Sequence, residues 1–174
     1  MSDADVLQRL HDIEEIKQLK ARYFFLMDGK RWDEWRHCFT DDARFAGTLQ
    51  DPNAGPDAFV AGVRDLLQDV LSVHQGHMPA IELTGPATAR GVWAMYDWLE
   101  FKPEHPMYDE DLPHRVGYGH YEEEYRKEDG AWKICFMRLA RLRVDRFAAD
   151  AVRPADQYMV PSAPAEWLAG APAS

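Results

Sequence analysis

Residues 115–144 read RVGYGHYEEEYRKEDGAWKICFMRLARLRV, and this stretch decides the fold. Glu128-Asp129-Gly130 interrupts it, and an Asp-Gly between two runs rich in aromatic and β-branched residues signals a tight β-hairpin. Arg115–Lys127 and Ala131–Val144 are therefore predicted as two antiparallel strands. Upstream, ARGVWAMYDWLEF (Ala89–Phe101) predicts a third long strand. Val73–Leu83 predicts a fourth, turned into the third by Thr84-Gly85-Pro86. Lys102–His114, with Pro103, Pro106, Pro113 and many charges, reads as a loop.

Toward the N-terminus the period changes. Val6, Leu10, Ile13, Ile16, Leu19, Tyr23 and Met27 recur at three- or four-residue steps, which predicts a helix over residues 5–28 stopped by Gly29. Arg31–Phe39 predicts a short second helix with Trp32, Trp35 and Phe39 on one side. Asp41-Asp42 should break it, leaving Ala43–Leu49 as a first strand. The turn cluster Asp51-Pro-Asn-Ala-Gly-Pro56 leads into a third helix, with Pro56 in its first turn and Phe59, Val63, Leu66, Leu67 and Val70 as its stripe, ending near Leu71. Helices first and antiparallel strands second is an α+β pattern. One domain is expected over residues 1–145. Residues 146–174, rich in Ala and Pro and carrying few anchors (Phe147, Tyr158, Trp167), are expected to form a docked or partly mobile extension.

Composition narrows the function classes. With 174 residues the chain can bury a core unaided. Six Trp, seven Tyr and eight Phe suit a large core or a lined cavity. A formal charge of −10 repels phosphate backbones, so nucleic acid is not an expected partner. Cys38 and Cys135 stand far apart and form no disulfide framework. The acidic start, Met1-Ser2-Asp3-Ala4-Asp5, is unlike a signal peptide, and no apolar run approaches a membrane span, so a cytoplasmic protein without membrane contact is expected. There is no GxSxG, Walker A or GxGxxG, nor HExxH or a cysteine cluster, so neither a nucleotide cofactor nor a metal is expected.

A few polar residues are out of place. Asp28 ends the first helix, where a carboxylate opposes the helix dipole; it is either solvated or held for a purpose. Tyr23 lies in the apolar stripe, as core or as something more. Alternation in Ala89–Phe101 puts Gly91, Trp93, Met95, Asp97, Leu99 and Phe101 on one face, where Asp97 is the lone charge. Unless the pleat is interrupted and it faces water, it must be paired, hydrogen-bonded or protonated. His74 and His77, three apart on a strand, point to opposite faces and make a poor metal pair. Cys135, Met137, Leu139 and Arg141 share a face, so Arg141 reaches a cavity or its rim, with Arg138 and Arg143 as alternatives.

Ile13–Tyr23, Asp28–Trp35, Phe39–Ala43, His74–Pro79 and Tyr118–Tyr125 with Asp129–Ile134 together resemble, in order over roughly residues 5–145, the SnoaL-like family of the NTF2-like superfamily. Within it the chain is similar to the branch of bile-acid 7α-dehydratases and scytalone dehydratases, and more distantly to hexachlorocyclohexane dehydrochlorinases. The resemblance implies a cone: N-terminal helices packed in a strongly curved antiparallel sheet, with a deep pocket at its open end. It implies Tyr23, Asp28, His74, Asp97 and Arg141 as catalytic residues, with an Asp28–His74 dyad, and Trp93, Met95, Tyr121, Met137 and Leu139 as the substrate pocket. Position 121 departs from the Asn of scytalone dehydratases. The implied activity is that of a cofactor-independent lyase (dehydratase-like) or isomerase acting on a hydrophobic small molecule of steroid, polyketide or aromatic type. The alternatives are a non-catalytic ligand-binding or dioxygenase-small-subunit-like protein, and an epoxide hydrolase or cyclase. Family habit, with the apolar outer residues Val92, Tyr96 and Trp98, leads to the expectation of a homo-oligomer, trimer or dimer.

Overall fold

The computed structural model describes residues 2–48 and 54–151. In chain order it contains α1 (Asp3–Asp28), α2 (Trp32–Arg36), β1 (Phe39–Ala46), α3 (Pro56–Leu67), β2 (Leu71–Gly85), β3 (Thr88–Glu100), β4 (His114–Glu128), β5 (Ala131–Phe147) and a 3-10 turn at Ala149–Ala151. The strands form one sheet in the order β1-β5-β4-β3-β2. Neighbours among β2 to β5 are antiparallel, as expected; β1 instead runs parallel to β5, so the sheet is mixed. The two-residue link from α2 carries β1 straight onto the edge beside β5, where the Ile134 N–H donates to the Cys38 carbonyl at 2.9 Å.

The hairpin between β4 and β5 forms at Asp129 and Gly130, both at positive φ (50° and 82°), the geometry of a two-residue turn whose twist matches its strands. In β3 burial alternates: Ala89, Gly91, Trp93, Met95, Asp97 and Leu99 are buried and the residues between them are not. α1 starts on a capping box in which Ser2 Oγ accepts from the Asp5 N–H and Asp5 accepts from the Ser2 N–H. Its burial begins only near Asp12. Val6, Leu7 and Leu10 (58 % exposed) lie outside the core, so the stripe is longer than the buried face.

Several expected boundaries move. Phe39 opens β1 rather than closing a helix, and Asp41-Asp42 lie within the strand. Both side chains are exposed, Asp41 paired with Arg36 (2.7 Å) and Asp42 with Arg126 of β4 (2.5 Å). Leu49, the expected end of that strand, and Asp51, Pro52 and Asn53 of the turn cluster lie outside the described residues. α3 stops at Leu67, and β2 begins at Leu71 and continues through Gly85, leaving Pro86-Ala87 as the turn. β5 continues to Phe147, which stacks on Trp98. Tyr158, Trp167 and the expected docking or mobility of the tail lie outside the described residues.

The core is an aromatic cluster that ties helices to sheet. Trp35 and Phe39 contact Tyr23, and Phe59 of α3 stacks on Phe45 of β1 with centroids 3.7 Å apart. Such ring pairs contribute about 0.5–1.5 kcal/mol each beyond burial. Ile134 and Met137 close the cluster from β5. Both cysteines are free. No helix among the described residues is long and apolar enough to cross a membrane.

Candidate active site

Asp28, the last residue of α1, faces β2. Its Oδ1 lies 2.6 Å from His74 Nδ1 and accepts from Ser72 Oγ at 2.8 Å; its Oδ2 accepts the His74 backbone N–H at 2.7 Å. Three donors thus offset the unfavourable position at a helix C-terminus. A carboxylate only accepts, so the short contact places the ring proton on Nδ1 and leaves Nε2 as the acceptor. The His74 side chain is 7 % exposed and reaches a cavity; His77 is exposed on the other face of β2. Lys30 donates to Ser72 Oγ at 2.7 Å, adding another link behind the dyad. Burial pushes the Lys30 ammonium down to about 8, against the opposing pull of Asp28.

The cavity measures about 230 Å³. Of the expected residues, Tyr23, His74, Tyr121, Met137, Leu139 and Arg141 line it, joined by Trp35, Phe59, Leu99, Phe101, Met107 and Arg115. Trp93 and Met95, expected on the wall, are not there. They are buried further back along β3, where Trp93 and Phe24 of α1 crowd Gly76. α1 fills that part of the concave face, and the cavity opens beyond it, toward Leu99 and Phe101.

Asp97 is fully buried, so it does not face water, and it stands behind the wall rather than on it: Arg141 Nη2 donates to its Oδ2 at 2.7 Å. Gly117 on β4 makes room for this pair, since a Cβ there would collide with the Arg141 guanidinium and the Asp97 carboxylate. Arg138 pairs with Glu122, and Arg143, 71 % exposed, pairs with Asp145. Of the three candidate arginines, only Arg141 lines the cavity.

The Tyr23 and Tyr121 rings pack edge to face with centroids 6.0 Å apart, and Tyr23 OH donates to Met137 Sδ at 3.5 Å. Burial pushes both phenols well above their ordinary range, so both remain protonated donors at neutral pH. Behind them lies an ion pair that sequence reasoning missed. Lys20 Nζ meets Glu123 Oε1 at 2.5 Å, both side chains essentially inaccessible. The ammonium sits 3.9 Å from the Tyr23 ring centroid and 3.7 Å from that of Tyr121. Tyr125 OH donates to the other Glu123 oxygen at 2.5 Å, and Trp93 Nε1 to Tyr125 OH at 2.8 Å. Desolvation lowers the Lys20 pKa, opposed by the attraction of Glu123. The available signal was alternation: Tyr121, Glu123 and Tyr125 share one face of β4, although Glu122-Glu123-Glu124 looks like a solvated acidic run.

Away from the cavity, His11, Asp12 and Glu15 bring potential metal-binding atoms within 4.8 Å of one another. Their carboxylates are already engaged, Asp12 by Lys127 and Trp132 (2.9 and 3.0 Å) and Glu15 by Lys127.

A curled five-stranded sheet packed over N-terminal helices, with a side-chain-lined cavity and an Asp-held His on its wall, is the α+β cone of the NTF2-like superfamily. The chain belongs to the SnoaL-like domain family, whose model matches residues 8–138. Among solved structures it is similar to a predicted scytalone dehydratase of Novosphingobium aromaticivorans (TM-score 0.71, 17 % identity, covering 88 % of this chain and 99 % of that one). It is also similar to a type 3 hexachlorocyclohexane dehydrochlorinase of Novosphingobium barchaimii (TM-score 0.66, 18 % identity, 85 % and 98 %). A Mycobacterium tuberculosis protein of unknown function gives a TM-score of 0.63 at 25 % identity, covering 87 % and 80 %.

Proposed function

We propose that this protein is a cofactor-independent lyase of dehydratase type, or an isomerase, that removes a proton beside a carbonyl in a hydrophobic small molecule. The observation that carries this reading is the 2.6 Å contact of Asp28 Oδ1 with Nδ1 of His74, whose ring lines a largely apolar cavity. Asp28 fixes the ring so that Nε2 takes the proton. The C–H electron pair moves toward the carbonyl, and charge grows on its oxygen. Tyr23 and Tyr121, kept protonated by burial, are the donors for that oxygen. Arg141, held by Asp97, orients the polar end of the substrate. The electron pair then forms the new C=C bond and expels the β-hydroxyl, which leaves as water with the proton from Nε2. In isomerisation that proton returns to a different carbon instead. Each step uses side chains of this chain, so no cofactor is invoked. The names of the structural relatives, a dehydratase and a dehydrochlorinase, support elimination as the reaction class.

The same reading includes a homo-oligomer. Pairing places Val73, Trp98 and Val116 in one row of the outer sheet face, and Tyr96 beside Tyr118 in the next. Val92 is 42 % exposed there, whereas Tyr96 packs on Tyr118, and Trp98 on His114 and Phe147. This patch is apolar, with the Arg143–Asp145 and Arg138–Glu122 pairs beside it.

The test is a screen of aryl and alicyclic β-hydroxy ketones for the absorbance of a conjugated product. Turnover by the wild type should fall about 10²–10⁴-fold in His74→Gln. A wild type inactive across the panel, or a His74→Gln variant that keeps its rate, contradicts the proposal.

A further inference from the structure

We propose that the cavity takes an amphipathic anion, an apolar ring system or chain bearing a carboxylate, and that Arg115 binds the charged end. This names the substrate class of the site above and rests on that cavity being the substrate site.

Three guanidiniums gather where β3, β4 and β5 approach the cavity: Arg115 on β4, and Arg141 and Arg146 on β5. Arg141 is paired with Asp97 at 2.7 Å and Arg146 with Asp109 at 3.5 Å. Arg115 has no hydrogen bond or ion pair among the described residues, and its Nε is buried without a partner. The other carboxylates of this end are engaged elsewhere: Asp145 holds Arg143, and Glu100 accepts from Trp98 Nε1. Register places Arg115 opposite Leu99 and Arg146, on the concave face, and it lines the cavity together with Arg141.

The charges of the site therefore sum to a surplus. His74 acts as a neutral base, so the charge of Asp28 is matched by Lys30, which it attracts, and Arg141 is matched by Asp97, which leaves Arg115 without an ion pair among the described residues. The chain as a whole carries −10, so an inward cation attracted only by Asp97, which already bonds Arg141, is not the overflow of a basic protein. A buried donor without an acceptor is costly unless a ligand supplies one. The planar guanidinium fork fits a carboxylate, while Leu66, Phe101 and Leu139 offer apolar wall to the rest of the molecule. Trp35, also on the wall, keeps its indole N–H unpartnered, a second donor for a ligand oxygen.

The experiment is calorimetric titration of the full chain with 2-naphthoate and with its uncharged isostere 2-naphthamide. The wild type should bind the carboxylate at least about tenfold more tightly, and added salt should weaken only the carboxylate. Arg115→Gln should abolish most of that preference and leave the amide unchanged; Arg115→Lys should restore part of it. Equal affinity for the two probes, no binding of either, or a preference that survives in folded Arg115→Gln overturns the proposal. If that variant does not fold, the wild-type ratio and its salt dependence still decide. Binding is read without turnover and requires no proton transfer by His74. A failed elimination assay and a failed anion preference are thus separate results.

Discussion

Asp28 shows how one side chain can be misplaced by local rules and explained by its partners. At the end of α1 it opposes the dipole, yet it accepts from His74 Nδ1, the His74 N–H and Ser72 Oγ. Asp28→Asn should keep the fold but offer an amide N–H₂ where Nδ1 needs an acceptor, favouring the wrong tautomer. Elimination should slow by at least about tenfold to a hundredfold with substrate binding little changed, measured as kcat against KM. Lys30, one link behind, makes a pH prediction. Its pKa in the folded chain is about 8, below the ordinary 10.5, so the unfolded chain holds the extra proton between those values and stability rises with pH through that window. Lys30→Met should be more stable than the wild type below pH 8, by about 1–3 kcal/mol, and the difference should shrink toward pH 10.5 in urea titrations. Asp28, Tyr23 and Asp97 were legible as oddities in the sequence because each breaks a local rule. Lys20, Lys30, Ser72, Glu123 and Arg115 break none: a lone lysine on a helix or an arginine opening a strand reads as solvated, and only tertiary packing turns it inward.

Between elements, the Lys20–Glu123 pair pins α1 to β4 under the two tyrosines. Removing one partner leaves a buried charge unmatched, so Lys20→Met or Glu123→Gln alone should cost about 3–5 kcal/mol, while the double variant should recover most of that loss in urea denaturation. Gly117 makes a contrasting prediction. A Cβ would displace the Arg141 guanidinium and the carboxylate of the fully buried Asp97, so Gly117→Ala should cost about 1–3 kcal/mol and depress turnover by moving that pair. The strands were largely legible because β3 to β5 alternate over many residues and Asp129-Gly130 marks the turn. The start of β1 was not: Asp41-Asp42 looks like a break, and only the edge position, with Arg36 paired to one acid and Arg126 of β4 to the other, makes two acids acceptable within a strand. Val6 and Leu10 continue the α1 stripe in sequence, but the sheet they would need does not extend that far.

At the scale of the whole molecule, the cone puts one apolar face inward around the cavity and leaves another, with Val73, Val92 and Tyr118, on its convex side. The account predicts a dimer or trimer by light scattering at micromolar concentration, and a shift toward monomer when Val92 is replaced by Lys; a monomeric wild type contradicts it. The family could be read from the order of its motifs, but the position of the cavity could not, because it depends on how far α1 covers the sheet and so on why Trp93 and Met95 fall outside the wall. The central claim is that His74, held by Asp28, takes a proton from carbon. Its most direct measurement is the exchange of α-protons of a hydrophobic ketone with deuterium in D₂O, followed by proton NMR. This needs no leaving group and therefore isolates the first step. The account predicts that the wild type accelerates exchange and that His74→Gln abolishes the acceleration; exchange that proceeds equally in both, or no acceleration by the wild type, would contradict it.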